Sequence, residues 1–453
     1  MTSAPPSYRA FRVLMRLALG TYYRSLSVTG AENVPETGPL LITANHPNSL
    51  IDPLSLALVT GRQIHFFAKA TLFVPGARRI LRALGALPIH RRQDNPADMG
   101  KNREAFAAAY ELLGRGGVIG IFPEGVSHGE PRLKELKTGF ARIALEAERG
   151  EALELGHDSL PALGVRIVPV GIHKGAAARF RGHLSLRVGS PLSVRDFYGL
   201  YQEDEIAGVK ALVSALEARL KGLMLHLEDD EVAHTLAAAH ALLGAVEMKQ
   251  RGGARRFALE MMEKKDLAAA LTALKARDPV RWNRLLIGLA EYEQLLAQAK
   301  RGHADLAEGF DGPGARRRAA LRFTGLILLA PLALLGLIIH YPFYWLIGRL
   351  APGLSQDIDV LDTARILVGT LLYLILFAGL GWWLHHHYPL WQIPVALALF
   401  AVSAFAALIF FASLKRGRRR LRLAWLALRE RPLLFHLRRL RLQLWRELSG
   451  LKG

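Results

Sequence analysis

The sequence predicts an α/β domain, a mixed sheet flanked by helices, with an added helical arm and a C-terminal transmembrane helical region. Three observations predict it. Residues 30–195 alternate short β-like runs with helical stretches, as a layered α/β domain requires. Residues 200–318 are rich in Ala, Leu, Glu and Lys and poor in strand formers. Beyond them, Phe323–Gly348 and Ile366–Leu414 contain no Asp, Glu, Lys or Arg. The 453 residues suffice for two or three domains. We place the boundaries at 1–27, 28–199, 200–318, 319–414 and 415–453.

In residues 1–27, Tyr8–Leu26 is apolar but carries Arg9, Arg12, Arg16 and Arg24. It lacks a clean apolar core followed by a cleavage site, so no cleavable signal peptide is read. The pattern fits a basic amphipathic helix associated with a membrane; a helix packed on its own domain fits as well. In 28–199, strands are expected at Leu40–Ala44, His65–Ala68, Val118–Phe122, Arg166–Ile172 and Leu184–Val188. Helices are expected at Pro53–Val59, Asp98–Leu113 and Thr138–Arg149, and Gly116-Gly117 ends the second. In 200–318, Leu212-Val213, Leu216 and Leu220 keep helical spacing, and nothing there looks catalytic.

A membrane span needs roughly 20 apolar residues. The 49 residues of Ile366–Leu414 are enough for two spans turning near His385–Pro389. The 26 residues of Phe323–Gly348 are interrupted by Pro331 and Pro342. Arg316–Arg318 and Lys415–Arg422 both belong on the cytoplasmic face by the positive-inside rule, which demands an even number of crossings. The expectation is therefore a hairpin at 366–414 and a re-entrant or doubled-back segment at 323–348. This describes an integral membrane protein with its α/β domain on the cytoplasmic face.

The formal net charge is +20. Lys415–Gly453 alone holds thirteen Lys/Arg against two Asp/Glu, so over half of the excess lies just beyond the apolar region. A basic tail beside apolar spans points to membrane lipids as partner, and no nucleic-acid module is recognisable. Leu433, Leu434, Leu437, Leu440 and Leu444 repeat there at helical spacing among Arg438, Arg439 and Arg441, the pattern of a second interfacial helix. The absence of cysteine excludes disulfides, thiolate metal sites and a cysteine acyl-enzyme. His385-His386-His387 invites a metal reading, but consecutive helical residues point in different directions; an interfacial turn is preferred and no metal is expected.

The sharpest constellation is Asn45-His46-Pro47-Asn48-Ser49-Leu50-Ile51-Asp52-Pro53, directly after the apolar run Leu40–Ala44. A strand end delivers His46 to a cleft at the sheet edge. The short connection can bring Asp52 back to the imidazole, fixing its tautomer, so that His46 can take a proton from an alcohol. Next, Gly85–Ile89 leads through His90 to Arg91 and Arg92, whose planar forks suit phosphate; a solvated basic turn is the plainer reading of that pair alone. Third, Val118–Phe122 runs into Pro123-Glu124-Gly125. Glu124 can accept hydrogen bonds from hydroxyls of an acceptor or clamp an Arg, and Gly125 permits close approach of backbone to ligand. Lys137 stands where a helix opens and can assist anion binding. Val168-Pro169-Val170-Gly171 reads as a buried strand lining the apolar part of a site.

In this order, the pieces resemble the phospholipid/glycerol acyltransferase family: Asn-His…Asp, a Gly…Arg block, Phe-Pro-Glu-Gly, and a Val-Pro-Val-like strand, over roughly residues 28–195. The resemblance implies a glycerolipid acyltransferase-like fold, with His46 as base and Asp52 as its orienter. It implies Arg91 or Arg92 with Glu124 and Gly125 at a phosphorylated glycerol acceptor. It also implies acyl-CoA or acyl carrier protein as the acyl donor, a co-substrate and not a cofactor. The usual family spacing leaves four residues between His and Asp; here five intervene. That longer spacing, with the Pro-Glu-Gly-Val-Ser-His and Leu-Lys-Thr-Gly stretches, is similar to a fungal-type subset acting on glycerol 3-phosphate or dihydroxyacetone phosphate. The implied reaction is acyl transfer to the hydroxyl of glycerol 3-phosphate or lysophosphatidate in phospholipid biosynthesis.

A competing reading uses Gly125-Val126-Ser127-His128-Gly129, which matches the G-x-S-x-G elbow of serine lipid hydrolases. That elbow needs a helix immediately after the serine, and Glu130-Pro131 disfavours one.

Overall fold

The computed structural model describes residues 4–70, 73–90, 102–130, 132–154, 163–174, 182–247, 254–299, 315–354, 358–429 and 431–451. The chain forms two compact units, Met1–His226 with Ser355–Ile366, and Leu227–Leu354 with Leu367–Gly453.

The first unit is built on a mixed eight-stranded sheet. Its strands are β1 (Ser25–Thr29), β2 (Leu40–Ala44), β3 (Ile64–Lys69), β4 (Ala86–Ile89), β5 (Val118–Ile121), β6 (Arg166–Lys174), β7 (His183–Val188) and β8 (Leu192–Ser193). The order is β1-β7-β6-β2-β5-β3-β4, with β8 also paired to β6. β6, β2, β5, β3 and β4 run parallel; β7 and β8 pair antiparallel with β6. Helices α1 (Pro6–Tyr22), α2 (Ile51–Leu56), α3 (Pro75–Ala83), α4 (Asn102–Gly114), α5 (Gly139–Glu154), α6 (Arg195–Glu203) and α7 (Glu205–Leu223) complete this unit.

Side-chain alternation along a strand decides the two layers. Leu41, Ile119 and Ile167 face a core with Leu113, Phe140, Leu145, Leu212 and Leu216. Leu40, Ile42, Val118, Val168 and Val170 face the other, with Leu19, Tyr22, Ile51 and Leu56. A parallel strand covered on both faces reads as a continuous apolar run, as Leu40–Ala44 does. Leu212, Leu216 and Leu220, expected to open the helical arm, pack instead into the core of the sheet. The spacing of α7 is helical as read; what spacing does not specify is the surface that its apolar stripe covers.

Helix α1 buries Tyr8, Met15, Leu19 and Tyr22. The Tyr8 hydroxyl accepts from the Ile64 N–H at 3.2 Å, and Arg12 Nε donates to the Ala57 carbonyl at 2.9 Å. One face of the helix therefore packs on its own domain, while Arg9, Val13, Arg16 and Leu17 stay exposed.

The second unit contains α8 (Asp230–Glu247), α9 (Ala254–Arg277), α10 (Pro279–Gln298), α11 (Ala315–Leu354), most of α12 (Ile358–His387), α13 (Gln392–Arg429) and α14 (Arg431–Ser449). Among the described residues, three stretches are long and apolar enough to cross a membrane: Thr324–Gly353, Ala364–His387 and Gln392–Leu414. Two sequence expectations are corrected here. Helix α11 runs without a turn through Pro331 and Pro342, so 323–348 does not double back; apolar helices tolerate proline where neighbours re-satisfy the freed backbone groups. The leucine stripe of the basic tail is core: Leu434, Leu437, Leu444 and Leu448 are buried. Arg281 meets Glu447 at 3.2 Å, His436 meets Glu291 at 3.1 Å, and Arg441 donates to the Leu242 carbonyl at 3.2 Å, tying α14 to α10 and α8.

Candidate active site

Strand β2 ends at Ala44, and Asn45 anchors the loop beyond it. Its side chain accepts from the Ile172 N–H at 2.7 Å and donates to the Ile172 carbonyl at 3.0 Å, extending the sheet by one side chain. The chain then turns through His46–Leu50 into α2. Ser49 adopts a left-handed φ of +41°, a conformation that costs a non-glycine residue roughly 1–2 kcal/mol. The turn takes up the fifth intervening residue and returns Asp52 to the imidazole.

His46 Nδ1 lies 2.8 Å from Asp52 Oδ2, which also accepts the Asn48 N–H at 2.7 Å. Asp52 is fully buried, and its Oδ1 has no hydrogen bond among the described residues. Burial pushes the Asp52 carboxyl up from its ordinary range; the hydrogen bond and charge of His46, the Asn48 N–H and the charge of Lys174 oppose it. Because Asp52 binds Nδ1, the ring's Nε2 remains for a ligand, on a side chain 18% exposed. The imidazole stacks on Phe122, with ring centroids 4.1 Å apart and planes 14° from parallel.

Glu124 sits beneath this loop. Its Oε1 accepts the His46 N–H at 2.9 Å, and its Oε2 accepts the Lys134 N–H at 2.9 Å and pairs with His128 Nε2. The His128 N–H closes the clamp on the His46 carbonyl at 3.0 Å. Burial alone would raise the Glu124 carboxyl; hydrogen bonds from His128, Lys134 and His46 outweigh it and hold the group below the usual carboxylate range. Glu124 is therefore engaged with the His46 loop and is 2% exposed.

Gly125 takes a φ of +72°, and a Cβ there would come 3.6 Å from Lys137 Cγ. Lys137 is exposed, and its N–H donates to the Pro123 carbonyl at 2.7 Å. The structure thus gathers His46, Asp52, Glu124, Gly125 and Lys137 at the carboxyl end of β2 and β5. Arg91 and Arg92 lie outside the described residues. Just before them, His90 is pinned by Asn102, which exchanges two 2.8 Å hydrogen bonds with its backbone. After Ser127 the next helix is α5, which begins only at Gly139, so the serine elbow lacks its required scaffold.

Sequence reasoning left Asn48, His128 and Lys174 without roles. Lys174 Nζ donates to Asn48 Oδ1 at 2.8 Å. Asn48 and His128 lie inside quoted motifs, so position gave a signal. Lys174 stands 126 residues from Asn48, and only the parallel pairing of β2 with β6 brings it there.

Residues 25–173, which carry the histidine–aspartate pair at the carboxyl end of the parallel strands, match the Acyltransferase family model. Glycerol-3-phosphate O-acyltransferase 2 of Saccharomyces cerevisiae is 30% identical over 149 residues, covering 33% of this chain and 19% of the yeast protein. The 1-acyl-sn-glycerol-3-phosphate acyltransferase of Borreliella burgdorferi is 27% identical over 141 residues, 31% of this chain and 54% of that protein. The chain therefore spans about a fifth of one relative and about half of the other. The crystal structure of the 1-acyl-sn-glycerophosphate acyltransferase PlsC from Thermotoga maritima superposes with a TM-score of 0.34 at 20% identity, over 47% of this chain and 79% of that one.

Proposed function

We propose that this protein is a membrane-bound O-acyltransferase that moves a fatty acyl group from a thioester, acyl-CoA or acyl carrier protein, to the hydroxyl of a phosphorylated glycerol. The observation that carries the reading is the 2.8 Å contact between His46 Nδ1 and a buried Asp52, with Nε2 left for the acceptor. His46 Nε2 takes the hydroxyl proton as the acceptor oxygen attacks the thioester carbonyl. The tetrahedral intermediate collapses, the C–S bond breaks, and the imidazolium returns the proton to the leaving thiolate. Asp52 holds the ring and stabilises its charged form. Arg91 or Arg92, with Lys137, supply cations for the acceptor phosphate, and Gly125 lets the acceptor approach the backbone. The three apolar helices support membrane residence, with the catalytic domain on the cytoplasmic face.

Glycerol 3-phosphate is the preferred acceptor, supported by the long His–Asp spacing and the yeast relative's name; lysophosphatidate is the competing one. Purified protein in detergent, given labelled palmitoyl-CoA or palmitoyl carrier protein, is tested with each acceptor. Ester formation on glycerol 3-phosphate is expected, and turnover of neither acceptor with either donor rejects the reading.

A further inference from the structure

We propose that Lys174 is a positioning residue of the acyl-transfer site, a standing counter-ion that keeps the buried Asp52 ionised while His46 is neutral. This rests on the reading of His46 and Asp52 as the working base.

A general base must begin neutral, and its carboxylate partner must begin charged. In that state the pair carries a full negative charge inside the protein. A buried carboxylate with nothing to balance it takes up a proton instead. Asp52 is fully buried, and its Oδ1 lacks a hydrogen bond among the described residues, so its charge is held only through Oδ2. The imidazolium can balance that charge only in the state in which it cannot act as base. A second, permanent cation is needed, and Lys174 is placed to be it.

The geometry makes a short relay. Lys174 Nζ donates to Asn48 Oδ1 at 2.8 Å, and the Asn48 backbone N–H donates to Asp52 Oδ2 at 2.7 Å. Asn48 is fully buried, with its Nδ2 3.5 Å from the Tyr23 hydroxyl. Strand β6 runs four residues past Val170, the partner of Ala44 in β2, and so carries Lys174 alongside the His46 loop. Among the described residues, the titratable groups bonded to the pair or to its loop are Lys174 on β6, Tyr23 after α1, and Glu124 with His128 after β5. Glu124 and His128 pair with each other, and a tyrosine hydroxyl supplies no positive charge, which leaves Lys174 as the cation among these groups.

Proton release sets the sign of the effect. The proton between His46 Nδ1 and Asp52 stays with the pair in the active state; the one it must release to act is a second proton, on His46 Nε2. A nearby cation favours release, so removing it requires a higher pH to reach the active form. The test uses the full-length protein in detergent with palmitoyl-CoA and glycerol 3-phosphate, repeated with lysophosphatidate. Lys174→Gln keeps a donor without the charge, Lys174→Met removes both, and Lys174→Arg keeps the charge. The expected result is a kcat about tenfold lower for Gln and Met near neutral pH, with the acidic limb of the pH profile moved to higher pH, little change in KM, and recovery of the limb in Lys174→Arg. A raised acceptor KM with an unmoved acidic limb overturns the proposal and makes Lys174 a contact to the acceptor. Equal losses in Gln, Met and Arg without a moved limb also overturn it, reducing Lys174 to packing. His46→Ala in the same assay separates the two ideas: if that variant stays active, the base assignment itself fails, whatever Lys174 does. Thermal melting of each variant identifies misfolding, and Lys174→Gln retains the hydrogen bond should Lys174→Met be unstable.

Discussion

The carboxylates at the two ends of the His46 loop do different work because their surroundings differ. Asp52 touches the imidazole and is held through one oxygen; Glu124 spends both oxygens on backbone N–H groups and His128. His46→Ala should therefore remove the base and lower kcat by about a thousandfold or more. Asp52→Asn keeps the shape but forfeits the tautomer and the charge, and should cost roughly 10²–10⁴ in kcat; both are read from steady-state acyl transfer. Glu124→Gln should act first on stability. The Glu124 pKa is held below its ordinary value of 4.5, so its contribution is fully present above that value and is lost as pH falls through the lower folded-state value. Melting curves should show wild type well above Glu124→Gln at pH 7, with the gap closing in acid; a gap independent of pH would reject the assignment.

At the scale of elements, the site rests on an aromatic tier. His46 stacks on Phe122, and Phe122 lies parallel to Phe66 at 6.1 Å. Phe66 occupies the space beside Gly120 in the neighbouring strand, where an added Cβ would come 2.0 Å from the ring. Gly120→Ala should thus push Phe66 against Phe122, costing about 1–3 kcal/mol and lowering kcat through His46. The double variant Gly120→Ala/Phe66→Leu should recover part of both; additive losses would show that the two residues are not coupled. Much of this scaffold was legible from the residues. Leu40–Ala44, Val118–Phe122 and Arg166–Ile172 read as strands because central parallel strands are apolar throughout. β1 and β4 were not read: Ser25–Thr29 mixes hydroxyl and apolar residues, and Ala86–Ile89 is four residues with a proline. The His46–Asp52 pair was legible because it is local. The engagement of Glu124 and the arrival of Lys174 were not, since both depend on strand pairing that motif spacing does not encode. The leucine stripe of α14 showed a helix with an apolar face, but periodicity is the same whether lipid or protein covers it.

For the whole molecule, that buried stripe constrains the path through a membrane. Helix α10 precedes the three apolar stretches and α14 comes after them, yet the two share ion pairs at 3.2 and 3.1 Å. On the proposed membrane-bound reading they lie on one face, so the chain between them is expected to cross an even number of times, and the three apolar helices are not expected all to cross. Helices α12 and α13 are joined by only four residues, Tyr388–Trp391. Trp382, Trp383, Tyr388 and Trp391 are exposed around that turn, the aromatic placement of a membrane interface. On the proposed membrane-bound reading, these two are the pair expected to cross. Helix α11, at 40 residues about 60 Å long, exceeds a bilayer core of about 30 Å. It packs against α12 and α13, with His340 bonded to Ser403 Oγ at 3.1 Å and to the Tyr373 hydroxyl at 3.1 Å. The chain contains no cysteine, so single cysteines report without background. In oriented vesicles, an impermeant maleimide should label Ile287→Cys, Gly353→Cys and Phe435→Cys from one side and Trp391→Cys from the other. Labelling of 287 and 435 from opposite sides would break the bundle and restore three full crossings; labelling of 353 together with 391 would move the crossing pair to α11 and α13.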